Sequence, residues 1–107
     1  MKKKIIDTSD IKWVVNSHKV MFKNFFKIGT FVLSIIKIPP NTKLSKHFHP
    51  ENEYIFITEG FLYDEDGKYG KGTFFINPKG SIHSPYTGKT ECSLIALWCG
   101  RVEDIND

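Results

Sequence analysis

The sequence predicts an all-β fold, and three observations predict it. No stretch of about a dozen residues carries its apolar side chains at a helical period. Runs rich in β-branched and aromatic residues recur instead, at 30–38, 53–58 and 90–98. Turn-forming residues separate them, at Pro39-Pro40, Asp64-Glu65-Asp66-Gly67 and Asn77-Pro78-Lys79-Gly80.

In chain order, the polar group Asp7-Thr8-Ser9-Asp10 leads into a short strand or extended arm at 11–15, anchored to the body by Trp13. Residues 20–22 and 24–28 read as extended, and Gly29 turns the chain into the long strand at 30–38, which Pro39-Pro40 ends. Asn41 supplies a left-handed corner before two histidines. Residues 61–63 and 68–69 form a hairpin with Asp66-Gly67 at its tip. Residues 73–76 run into the Asn77-to-Gly80 turn, and 90–98 is the last long strand. The organisation expected is one domain, 1–107, with an arm at 1–29, a core at about 30–98 and a polar tail at 99–107.

Composition excludes several functions. The net charge of +3 comes from scattered lysines whose one run is Lys2-Lys3-Lys4, and no nucleic-acid motif accompanies them. Those lysines precede Ile5-Ile6 and then a polar segment, which is no signal peptide, and no apolar run reaches spanning length. A cytoplasmic protein without nucleic-acid or membrane partners is expected. Cys92 and Cys99 stand at the two ends of one strand, too far apart to bridge, and are expected as free thiols.

The chemistry-bearing stretch is 47–60. On a strand, His47 and His49 send both imidazoles to one face while Phe48 points away. Glu53 brings a carboxylate from the start of the next strand, and His83 is a fourth candidate ligand from further along the chain. A lone His-x-His pair is commonly a surface feature, so the pair gains weight only with partners. His18 stands apart from this group and reads as surface.

Phe31, Leu33 and Ile35 alternate with Val32 and Ile36, and Tyr54 and Phe56 with Ile55 and Ile57. Strands apolar on both faces need a second covering layer, so a homodimer is expected.

The spacing of these residues resembles the cupin superfamily. The first cupin motif, G-x5-H-x-H-x3-E-x6-G, is met by Asn41, His47, His49, Glu53 and Gly60; the second, G-x5-P-x-G-x2-H-x3-N, by Gly72, Pro78, Gly80, His83 and Thr87. Asn41 stands for the first glycine and Thr87 for the final asparagine, so eight of ten positions agree. Asn tolerates the same backbone region as glycine, and the last position is not a ligand. A closer resemblance, carried by 60–69, Gly72-Thr73 and 77–85, is to the cupins related to the anti-sigma factor ChrR domain and to acetylacetone-cleaving dioxygenase.

The resemblance implies a double-stranded β-helix, the jelly-roll or cupin barrel, with one divalent transition metal on His47, His49, Glu53 and His83. Three imidazoles and one carboxylate favour a transition ion over an alkaline-earth ion; Fe(II) suits oxygen chemistry, while Zn, Mn, Ni or Cu fit the same donors. The activity implied is that of a dioxygenase on a small, oxygen-rich, dicarbonyl-like substrate, with Glu53 either ligating or acting as base and Phe31 and Trp98 as pocket walls. A non-catalytic sensor of a ligand or oxidant is the alternative, and a cupin isomerase or lyase also fits.

Overall fold

The computed structural model describes residues 2–101 and the backbone of Glu103–Asp104; Met1 and residues 102 and 105–107, which include most of the expected polar tail, lie outside the described residues. After a short 3-10 turn at Thr8–Asp10, the described residues form eleven strands. These are β1 (Val14–Val15), β2 (Met21–Ile28), β3 (Phe31–Ile38), β4 (His47–Phe48), β5 (Glu53–Glu59), β6 (Phe61–Asp64), β7 (Gly67–Gly70), β8 (Phe74–Asn77), β9 (Ile82–His83), β10 (Cys92–Cys99) and β11 (Glu103–Asp104).

The long strands make one sheet in the order β1-β2-β3-β10-β5-β8, entirely antiparallel. Opposite it lie two smaller sheets, β11-β4-β9 and β6-β7, joined through single bridges of Tyr86 to Lys43 and Tyr63. This is the layering of a jelly roll: from β3 onward, the β6–β7 hairpin apart, the chain passes back and forth between the two layers, and β10 returns to pair with β3 and β5. The pleat sends Val32, Ser34, Leu94, Ala96, Ile55 and Ile57 inward, and all six are buried. Val20, Ile38, Leu62 and Cys92 complete the core with them, each apolar side chain contributing about 1.5–3 kcal/mol by leaving water.

Two local expectations need revision. Residues 21–28, assigned to an arm by their place before Gly29, form β2, which runs the length of β3 in the large sheet with a bulge between Asn24 and Phe26. The bulge interrupts the strict alternation that marks a strand in sequence. The part that lies on the body as an arm precedes it, and there Trp13 does serve as anchor: the ammonium groups of Lys23 and Lys37 sit 4.8 and 5.2 Å from its ring centre. In the β6–β7 hairpin the loop residues are Glu65 and Asp66, and Gly67 already pairs with Asp64. Asp64 makes the turn itself, its Oδ1 accepting from the N–H groups of Asp66 and Gly67. Cys92 and Cys99 are free and buried, and burial pushes the Cys92 thiol up to about 11.

Asn41 is left-handed, at φ 53°, as its motif position requires. Thr87 shows what replaces the asparagine of the second motif. Its hydroxyl donates to Pro39 O at 2.6 Å and accepts from Thr42 N at 3.0 Å, pinning the loop before β10 to the exit from β3. The side chain is buried, so Thr87→Val leaves both backbone groups unmet. A loss of about 1–3 kcal/mol is expected, read as a lower urea midpoint at unchanged slope.

Candidate metal centre

His47 and His83 meet because β4 and β9 pair in a register that sets these residues opposite one another. The Nε2 atoms lie 2.8 Å apart. His49 follows β4 on the same side, and its ring centre is 4.8 Å from that of His47 and 4.7 Å from that of His83. Phe48, between them, points outward and is partly exposed, as the two-residue period demands. Glu53 enters from the first position of β5, its Oε1 3.7 Å from His49 Nε2 and 4.0 Å from His83 Nε2. One ligand atom from each of the four residues lies within 4.8 Å of the others.

The surroundings hold this arrangement from behind. His47 Nδ1 is 2.9 Å from Ser45 O, which turns its Nε2 toward the cluster. Asn77, opposite Glu53 in the β5–β8 ladder, donates from Nδ2 to Glu53 Oε1 at 2.9 Å. The turn after β8 is laced to the histidine segment: Lys79 N donates to Asn52 Oδ1, Gly80 N to His49 O, and His49 N to Ser81 O. The two motif segments thereby fix one another.

The donor set fits a divalent ion. His49 is 0% exposed, yet neither of its ring nitrogens has a hydrogen-bond partner, an arrangement costly for a buried imidazole with nothing to bind. Donors in adjacent positions around one ion, each at ~2.1 Å, stand ~3 Å apart, close to the His47–His83 separation. Burial, reinforced by the neighbouring imidazoles, lowers the His49 pKa to about 4; burial and His47 also lower that of His83. Both rings are therefore neutral near pH 7, the state in which imidazole ligates. Burial raises the pKa of Glu53, opposed by the Asn77 hydrogen bond.

His47, Glu53 and His83 open onto a cavity of about 410 Å³ between the layers, walled by Phe22, Ile36, Leu44, Ile55, Phe75 and Trp98. Trp98 lines this cavity, its indole N–H donating to Ser34 Oγ at 2.9 Å and Ser34 in turn to Asn24 at 2.6 Å. Phe31 does not line this cavity. It shares its side of β3 with Leu33 and Ile35, and the inward side carries Val32, Ser34 and Ile36. His18 is exposed, as expected, but it stands on the cavity rim beside Asn16 and Ser17, with Nε2 3.3 Å from Ser45 Oγ. Its place there was hidden because the β1–β2 turn reaches the cavity only through the fold. Asn77 carried a signal, the Asn-Pro turn, that reveals the turn and not the hydrogen bond to Glu53.

The structure is similar to several solved proteins. The polyketide cyclase RemF from Streptomyces resistomycificus aligns over 99% of this chain and 87% of its own, at TM-score 0.83 and 19% identity. An acetylacetone dioxygenase from Acinetobacter johnsonii aligns over 100% and 80%, at 0.87 and 14%. The complex of Rhodobacter sphaeroides SigE with the anti-sigma ChrR aligns over 83% of this chain and 50% of that one, at 0.75 and 21%. At these identities the likeness shows a shared fold. No curated protein sequence matches the chain. The profile of the ChrR Cupin-like domain matches residues 1–102, and the chain belongs to that cupin family.

Proposed function

We propose that this chain is a metal-dependent dioxygenase acting on a small, oxygen-rich, dicarbonyl-like substrate. The observation that carries the proposal is the convergence of three histidines and a largely buried glutamate, of which His47, His83 and Glu53 line a mostly apolar cavity. Fe(II) is the ion proposed for this chemistry, with Zn, Mn, Ni and Cu compatible with the same donors. An ion held by His47, His49, His83 and Glu53 would supply Lewis acidity toward substrate oxygens and, as iron, electrons toward dioxygen. The chain's own residues do the rest. The aromatic and aliphatic walls exclude water and select a compact, weakly polar molecule. Glu53, with burial raising its pKa and Asn77 steadying Oε1, is suited to take the proton from the acidic carbon between two carbonyls and hold it on the carboxylate. As a metal ligand instead, it would contribute charge and not a proton site.

Oxygen uptake by the Fe(II)-loaded protein across a panel of small β-diketones tests this. Consumption that is saturable in one of them and absent in His49→Ala is expected. Silence with every metal and every substrate overturns the proposal and favours the second reading, a metal-loaded sensor or binding module, which the family match to the ChrR domain supports.

The chain is also proposed to pair with a second copy through the outer face of the large sheet. Phe56 is 42% and Phe74 58% exposed, and the register sets Ile95, Phe56 and Phe74 side by side across β10, β5 and β8, with Ile76 and Tyr54 in the next row. A contiguous apolar stripe of this kind is self-complementary about a two-fold axis. Sedimentation equilibrium at micromolar concentration is expected to give a dimer; monomer alone would contradict it. No helix among the described residues is long and apolar enough to cross a membrane.

A further inference from the structure

Resting on the metal-site reading above, we infer that Asp64 is a positioning residue for His83, its carboxylate set behind the imidazole to receive the Nδ1 proton and keep Nε2 aimed at the cluster. The β6–β7 hairpin is the frame that holds that carboxylate. Asp64 is the last residue of β6, and its Oδ1 is already occupied three times, by Tyr69 Oη at 2.9 Å, Asp66 N at 2.9 Å and Gly67 N at 3.2 Å. Its Oδ2 is left over, and it lies 3.7 Å from His83 Nδ1. The Asp64 and His83 side chains are 6% and 9% exposed, so this is not a surface pair.

The tautomer of His83 makes the argument. Nε2 faces His47 at 2.8 Å, and a ring that offers the Nε2 lone pair to an ion carries its proton on Nδ1. That nitrogen is buried and has no hydrogen-bond partner. A buried N–H without an acceptor is costly, and Asp64 Oδ2 would reach hydrogen-bonding distance by moving less than ~1 Å. His47 already shows the same design from a different acceptor, its Nδ1 held by Ser45 O. The turn explains Oδ1 but gives no reason for Oδ2 to face a buried imidazole. Two further contacts tie the hairpin to this histidine: Glu65 Oε1 accepts from the N–H of Ser84, the residue after His83, at 2.8 Å, and Tyr86 and Tyr63 exchange backbone hydrogen bonds. Burial and the Asp64 contact push the Tyr69 hydroxyl up to about 12, so it stays a donor to the carboxylate.

The test is Co(II) titration of the full chain followed by visible absorption, together with the hyperfine-shifted exchangeable imidazole N–H signals of the Co(II)-loaded protein. Asp64→Asn retains a residue suited to the turn while removing the charge. It is expected to weaken Co(II) binding ~10–100-fold, the range for an outer partner of a ligating histidine, and to speed solvent exchange of one N–H signal. A merely structural role would leave that signal in place. Tyr69→Phe, which frees the carboxylate without removing it, is expected to weaken binding less, and it carries the test if Asp64→Asn does not fold. Wild-type affinity and unchanged N–H exchange in the folded variant overturn this inference while leaving the metal site standing. A wild-type chain that takes up no Co(II) overturns the metal reading itself and this inference with it.

Discussion

His49→Ala is expected to abolish tight binding of a divalent transition ion, with affinity for Co(II) or Zn(II) falling by more than ~100-fold. Loss of an outer partner of a ligand alone costs ~10–100-fold, and His49 stands inside that shell. The ring has no other hydrogen-bond partner: it is fully buried, neither nitrogen is bonded, and a ligand atom of each of the other three candidate residues lies within 4.8 Å. The same substitution removes packing volume, so the metal-free variant also loses stability, by about 1–3 kcal/mol. Titration calorimetry separates the effects, since destabilisation leaves the stoichiometry of the folded fraction at one while loss of a ligand removes the binding isotherm. Wild-type affinity in folded His49→Ala would place the ion, if there is one, elsewhere.

Gly60→Ala is expected to be the most damaging single methyl in the chain. Gly60 follows β5 at φ +75°, and a Cβ there would run into the carbonyl oxygen of Glu91, with the Glu91 carbonyl carbon at 3.0 Å and Cys92 Cα at 3.2 Å. The left-handed conformation alone costs an alanine about 1–2 kcal/mol. Both obstructing groups are backbone at the entry to β10, the strand that joins β3 to β5 at the centre of the sheet, so neither can step aside cheaply. A loss of about 3 kcal/mol or more follows, lowering the thermal midpoint by over ~10 °C. Gly29→Ala is the control: φ is +59° but nothing lies within 4 Å of the added carbon, so only the backbone term applies. Equal losses in the two variants would remove the steric part of the argument.

What could be read from the sequence was whatever depends on short spacing. The period of two put His47 and His49 on one face, and Asn41 announced a left-handed corner. The meeting of His47 with His83 depends on the β4–β9 register, and residues 36 positions apart acquire a register only when the barrel closes. The cupin motif supplied that pairing by resemblance, where spacing alone could not. Phe31 was misplaced for a physical reason: β3 is apolar on both faces, so alternation distinguishes two sides without saying which is inside. Asp64 was legible as a turn residue, and one of its oxygens is that; the other faces the site only because the hairpin folds over β9.

Elemental analysis of the protein purified from cells without chelator or added metal tests the central claim most directly. The expected result is about one transition-metal ion per chain in the wild type and none in His49→Ala. A folded wild-type chain that carries no such ion, and takes up none when offered Fe, Zn, Mn, Ni and Cu in turn, would contradict it.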